Sequence, residues 1–71
     1  MSRLKEIREN RGFSQGDLAR KTGIMQATIS KYESGYCKIS EENMIKLIKA
    51  LETNADYFLG LIDHEEEKET K

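Results

Sequence analysis

Apolar residues along the chain recur at intervals of three and four, in short clusters separated by glycines and small polar residues, which is the periodicity of amphipathic helices. Leu4 and Ile7 repeat at i and i+3 before Gly12, and predict a first helix that begins near Ser2, a good N-cap. Ser14 is the next N-cap, with the Asp17 carboxylate three residues on, so a second helix is predicted from Gln15 to about Thr22, weakened at Gly16 by about 1 kcal/mol relative to alanine. A third runs from about Met25 to Ser34, anchored by Ile29 with Tyr32 beside it and ended by Gly35 in the left-handed C′ position. Ser40, backed by Glu42 and Asn43, opens a fourth helix. Its Met44, Leu47, Ile48 and Leu51 fall at i, i+3, i+4 and i+7 and form the clearest amphipathic stripe in the chain. A short fifth helix, about Asn54 to Leu59, adds Ala55, Phe58 and Leu59. Strand-type alternation is absent, so the expectation is an all-α, compact five-helix bundle with Phe13, Phe58 and the fourth-helix row at its centre.

The second and third helices are read as a close pair around a tight turn. Ala19 is small enough for a crossing helix, Gly23 takes the positive φ the turn requires, Ile24 fills the angle, and Leu18 and Ile29 lock the pair from beneath.

A length of 71 residues, 37% hydrophobic with no proline and no tryptophan, accommodates one core and is expected to lack a separate catalytic or sensor domain. The formal net charge is −1, but its distribution is uneven. Residues 63–71 carry five carboxylates against two lysines, and residues 1–62 carry ten basic and eight acidic side chains. The expected organisation is therefore a mildly basic folded domain over 1–62 and an acidic, disordered tail over 63–71. Catalysis finds no support: the single histidine, His64, lies in the acidic tail and the single cysteine, Cys37, in a loop, with no metal-ligand spacing and no phosphate-cradling glycine run. Neither a cofactor, a metal nor a small-molecule ligand is expected. One cysteine, and no apolar signal core or long apolar run, lead to the expectation of a reducing cytoplasmic setting without membrane contact.

The stretch Gln15 to Gly35 resembles the helix-turn-helix of the phage repressor and Cro family, also called the XRE family. The resemblance extends over Leu4 to Gly60: Leu-Lys-Glu-Ile-Arg in the first helix, Gly-Phe-Ser-Gln before the second, Ile-Ser-Lys-Tyr-Glu-Ser-Gly closing the third and Ala-Asp-Tyr-Phe-Leu-Gly at the end. It implies a lambda-repressor-like DNA-binding domain that acts as a sequence-specific transcriptional regulator on double-stranded DNA, with the third helix in the major groove. With Ile24, Ile29 and part of Tyr32 turned inward, the outward residues of that helix are Gln26, Ala27, Ser30 and Lys31, and these are the expected base contacts. Their chemistry suits base edges: glutamine pairs with adenine N6 and N7, lysine donates to guanine, and alanine packs on a thymine methyl. In the family a glutamine in the place of Gln15 faces a phosphate, assisted by the helix N-terminus. Thr28, Tyr36, Lys38 and Arg8 complete the expected phosphate contacts.

Operators read by this motif normally hold two half-sites about one helical turn apart, so a homodimer is expected, with Tyr57, Leu61 and Ile62 as its interface. Repression by promoter occupancy is the expected outcome. The competing reading is a protein-binding module on the same fold, antitoxin-like or an adaptor, working through the Tyr57 to Ile62 surface and the acidic tail. Two positions depart from the family pattern. Met25 stands where a serine or threonine usually caps the recognition helix, and Glu52 where a glycine commonly ends the fourth helix.

Overall fold

A computed structural model of the chain describes residues 3–61. Ile62, the acidic segment 63–71 with His64, and the expected N-cap Ser2 lie outside the described residues. The described residues form five helices and no strand: α1 (Leu4–Asn10), α2 (Gln15–Thr22), α3 (Gln26–Ser34), α4 (Glu41–Leu51) and α5 (Ala55–Phe58).

Local chemistry accounts for most boundaries. The Ser14 hydroxyl accepts the Asp17 N–H at 2.9 Å while the Asp17 carboxylate accepts the Ser14 N–H at 3.0 Å, a complete capping box at the start of α2. Ser40 caps α4 through the Asn43 N–H and Asn54 caps α5 through the Tyr57 N–H. Gly35 ends α3 at φ +80°, where a side chain would be strained. Two ends differ. α1 starts at Leu4 with Arg3 at its N-cap, and Met25 precedes α3 as an N-cap whose side chain accepts no N–H.

Leu4, Ile7, Leu18, Ile29, Leu47, Leu51 and Phe58 are all but completely enclosed, so every helix contributes to one core. At about 25 cal/mol per Å² of apolar surface, each such side chain contributes roughly 1.5–3 kcal/mol. Met44 and Ile48 of the α4 stripe are only half-buried and flank it. Phe13, expected at the centre, instead lies half-buried at the edge, with the Lys21 ammonium 5.7 Å from its ring centroid. It precedes α2 in a turn, and the central volume is filled from α1 by Leu4 and Ile7.

α1 straps the bundle together through polar contacts. The Arg3 N–H donates to the Phe58 carbonyl at 2.8 Å, and the Tyr57 hydroxyl donates to Glu6 at 3.4 Å. Arg11 donates to the Leu51 carbonyl at 2.8 Å and to the Glu52 carbonyl at 3.3 Å. The guanidinium thus takes up carbonyls that the end of α4 would leave unpaired.

Candidate nucleic-acid interface

The α2–α3 corner is set by Thr22, Gly23 and Ile24. The Thr22 hydroxyl donates to the Leu18 carbonyl at 2.8 Å and accepts the Ile24 N–H at 3.1 Å; Gly23 turns the chain at φ +80°, and Ile24 is buried in the angle. With Ile29 and Tyr32 facing the core, α3 presents Gln26, Ala27, Ser30 and Lys31 to solvent, the i, i+4 pairs of one outward face. Thr28 is half-buried, while Tyr36 and Lys38, in the turn after α3, are exposed. The Lys31 ammonium stands 5.7 Å from the centroid of the Tyr36 ring, which joins the outer face of α3 to that turn. Met25 is 71% exposed at the opposite end of the helix.

Beneath this face lies a charged cluster that hydrophobic periodicity does not reveal. Arg8 Nε donates to Glu33 Oε2 at 2.6 Å and Arg8 Nη2 to Glu33 Oε1 at 3.1 Å, a two-pronged pair in which the side chains are 9% and 5% exposed. Arg8 Nη1 also donates to the Phe13 carbonyl at 2.8 Å, which ties down the turn between α1 and α2. Gln15 Nε2 donates to Glu33 Oε1 at 3.0 Å. Burial pushes the Glu33 pKa up, but hydrogen bonds from Arg8 and Gln15 and the charges of Arg8 and Lys5 outweigh it and hold the carboxyl below its ordinary 4.5. The hydrogen bond to Glu33 in turn raises Arg8 above its already high value.

Arg8, expected to grip phosphate, does not face outward. Its guanidinium is directed inward and fully engaged, because Arg8 follows Leu4 by one helical turn on the core-facing side of α1. Gln15 sits where expected, first in α2, with its side chain half-buried against Glu33. The capping box occupies the Asp17 N–H; those of Gln15 and Gly16, at the first two helical positions, have no partner within an α-helix and face outward from its start.

The same corner carries two cations outside the set expected from the sequence. Arg20 and Lys21 are exposed in the last turn of α2. Arg20 Nη2 donates to Asp17 Oδ1 at 2.5 Å, and Asp17 is held below the ordinary carboxylate range first by its hydrogen bonds with Ser14 and then by Arg20. Both carboxylates between Phe13 and Lys38 are therefore paired with arginines, while Lys21, Lys31 and Lys38 are exposed.

Of the expected dimer residues, Tyr57 and Leu61 are described and differ in exposure. Tyr57 is half-buried, with the Arg3 guanidinium 4.6 Å from its ring centroid, whereas Leu61 is 69% exposed. Leu59, Tyr36, Ile39 and Met44 line an open groove of about 740 Å³ beside the C-terminal end of α3. Among the described residues no group of three or more His, Cys, Asp or Glu side chains is placed to hold a metal ion, and no helix is long and apolar enough to cross a membrane.

Comparison with known proteins agrees with this geometry. Residues 4–58 match the helix-turn-helix family profile. The chain is 32% identical over 68 residues to the HTH-type transcriptional regulator ImmR of Bacillus subtilis, covering 96% of this chain and 54% of that protein. It is 34% identical over 70 residues to the HTH-type transcriptional regulator AnsR of the same organism, covering 99% of this chain and 58% of that protein. Antitoxin HipB of Escherichia coli K12 is 37% identical over 49 residues, covering 69% of this chain and 56% of that protein. The chain thus spans little more than half the length of these curated relatives. No solved structure matches it.

Proposed function

The chain belongs to the XRE-type helix-turn-helix family of transcriptional regulators, and from that premise we propose that it is a repressor that binds a pseudo-palindromic operator as a homodimer. One observation carries the reading: Gln26, Ala27, Ser30 and Lys31 are all exposed on one face of a helix whose opposite side is fixed in the core. A rod of this width fits the major groove, and amide, ammonium and methyl groups are the chemistry that base edges accept. Lys38, Tyr36, Thr28 and the N-terminal turn of α2 with Gln15 flank it where the groove walls would stand. A second copy seated against Tyr57, Leu61 and Ile62 would relate two α3 helices across an operator dyad. The folded domain comprises residues 1–62 in this reading, with 63–71 as an acidic appendage.

Selection from random duplexes, followed by titration of the winning sequence at several salt concentrations, tests this. Gln26→Ala is expected to change the preferred base at one position in each half-site. Gln15→Ala is expected to weaken all sequences about equally. Substitutions without effect on any duplex would refute the reading.

The HipB relationship favours a second reading, an antitoxin-like module that binds a protein. Its observation is the open apolar groove lined by Tyr36, Ile39, Met44 and Leu59. Loss of a protein interaction on Leu59→Asp, in a variant that circular dichroism shows to be folded, with DNA binding absent from the intact chain, would select it.

A further inference from the structure

Glu33 Oε1 accepts from two helices at once, from Arg8 Nη2 of α1 at 3.1 Å and from Gln15 Nε2 of α2 at 3.0 Å, while its Oε2 accepts from Arg8 Nε at 2.6 Å. The Glu33 side chain is 5% exposed, whereas Gln15, first in α2, is half-buried. A carboxylate is an acceptor only, so it engages a carboxamide solely at the NH₂ end and excludes the flipped arrangement. Glu33 uses one of the two Nε2 N–H groups, and the second makes no protein hydrogen bond among the described residues. A bare carboxylate at this place would repel a phosphate. The two-pronged bond to Arg8 offsets its charge, so Glu33 can hold the glutamine without that repulsion. Ordering such a side chain only at the moment of binding costs roughly two- to tenfold in affinity, and a side chain ordered beforehand avoids most of that loss.

We propose that Glu33 is a positioning residue for the DNA backbone contact: it fixes the Gln15 carboxamide by its nitrogen before a duplex arrives and leaves the second N–H as the donor to a phosphate oxygen. The inference rests on the phosphate contact proposed for Gln15 above. Glu33 belongs to α3, the helix that carries Gln26, Ala27, Ser30 and Lys31, so the bond also ties the phosphate grip of α2 to the proposed base-reading helix. Arg8 serves the same contact at one remove, by neutralising and orienting the carboxylate.

The test pairs a measurement on the free chain with a mutant cycle on DNA. In the intact protein without DNA, the side-chain amide signal of Gln15, assigned by its loss in Gln15→Ala, is expected to show one proton shifted downfield and slowed in solvent exchange. A signal like that of the exposed Gln26 would overturn the proposal, whatever the variants do. For the cycle, Arg8→Met with Glu33→Leu replaces the ion pair by apolar side chains of similar size, a change that buried pairs often tolerate, and circular dichroism checks that the variant is folded. By fluorescence anisotropy it should bind both the selected duplex and a scrambled duplex roughly fivefold more weakly, with unchanged base preference. Adding Gln15→Ala to it should cost nothing more, because the side chain it removes is no longer positioned. Losses that add would make the role of Glu33 merely structural, and binding as tight as that of the parent chain, or tighter, would mean that Glu33 does not assist the contact; either result overturns the proposal. Gln15→Ala alone without effect on either duplex would instead defeat the phosphate contact on which the inference rests.

Discussion

Glu52 holds a backbone conformation that side chains with a Cβ avoid, at φ 55° and ψ 49°, where α4 ends. It keeps the left-handed turn that a glycine would make without strain, and the position costs about 1 kcal/mol. The turn survives because the Thr53 N–H bonds the Ile48 carbonyl at 3.2 Å and Arg11 reaches across to the Leu51 and Glu52 carbonyls. Glu52→Gly should therefore raise stability by about 1 kcal/mol, visible as a higher midpoint in thermal unfolding followed by circular dichroism. Met25 is the reverse case, a residue with acceptable backbone angles, φ −62° and ψ 142°, and the wrong side chain for a cap. Met25→Ser supplies the missing acceptor and is expected to add about 1 kcal/mol in the same assay. An unchanged midpoint would mean that the α3 N–H groups are already satisfied in the parent chain.

At the scale of elements, the boundaries of α2 and the starts of α4 and α5 are legible in the sequence because they depend on local chemistry: Ser14 with Asp17, Ser40 and Asn54 each cap the helix that follows. The Arg8–Glu33–Gln15 cluster is not, because it joins three helices and no local pattern brings them together. Its trace in the sequence is indirect. Arg8 follows the buried Leu4 by four residues and Glu33 follows the buried Ile29 by four, so each charge shares a face with a core residue. Such an ion pair contributes little net stability while intact, yet removing one partner strands the other. Arg8→Ala should thus cost about 3 kcal/mol by denaturant titration. Because the folded Glu33 pKa is lowered, the stability it contributes is fully present above its ordinary 4.5 and is lost as pH falls through the lower folded value. Glu33→Gln should flatten that acid limb of the stability curve. A limb unchanged by the substitution would place the acid sensitivity in other carboxylates.

For the whole molecule, the decisive quantity is where the charge lies. The formal −1 conceals ten basic against eight acidic side chains in residues 1–62, and a segment 63–71 in which five carboxylates face two lysines. A duplex approaching α3 and the turn after it meets the exposed ammonium groups of Lys31 and Lys38, and its phosphates compete for them with any carboxylate tethered to the same chain. Removing residues 63–71 changes the formal charge of the chain to +2 without altering a described contact. The shortened chain should bind duplex DNA more tightly at about 50 mM salt, mainly through faster association, and the advantage should disappear near 1 M salt, where the Debye length is about 3 Å. Lys38→Ala in either background should reduce the steepness of the log–log salt dependence by about 0.9 for each phosphate that the Lys38 ammonium neutralises. Fluorescence anisotropy across a salt series measures all of these together. An advantage of the shortened chain that persists undiminished at high salt would exclude charge competition and assign the segment a contact of its own.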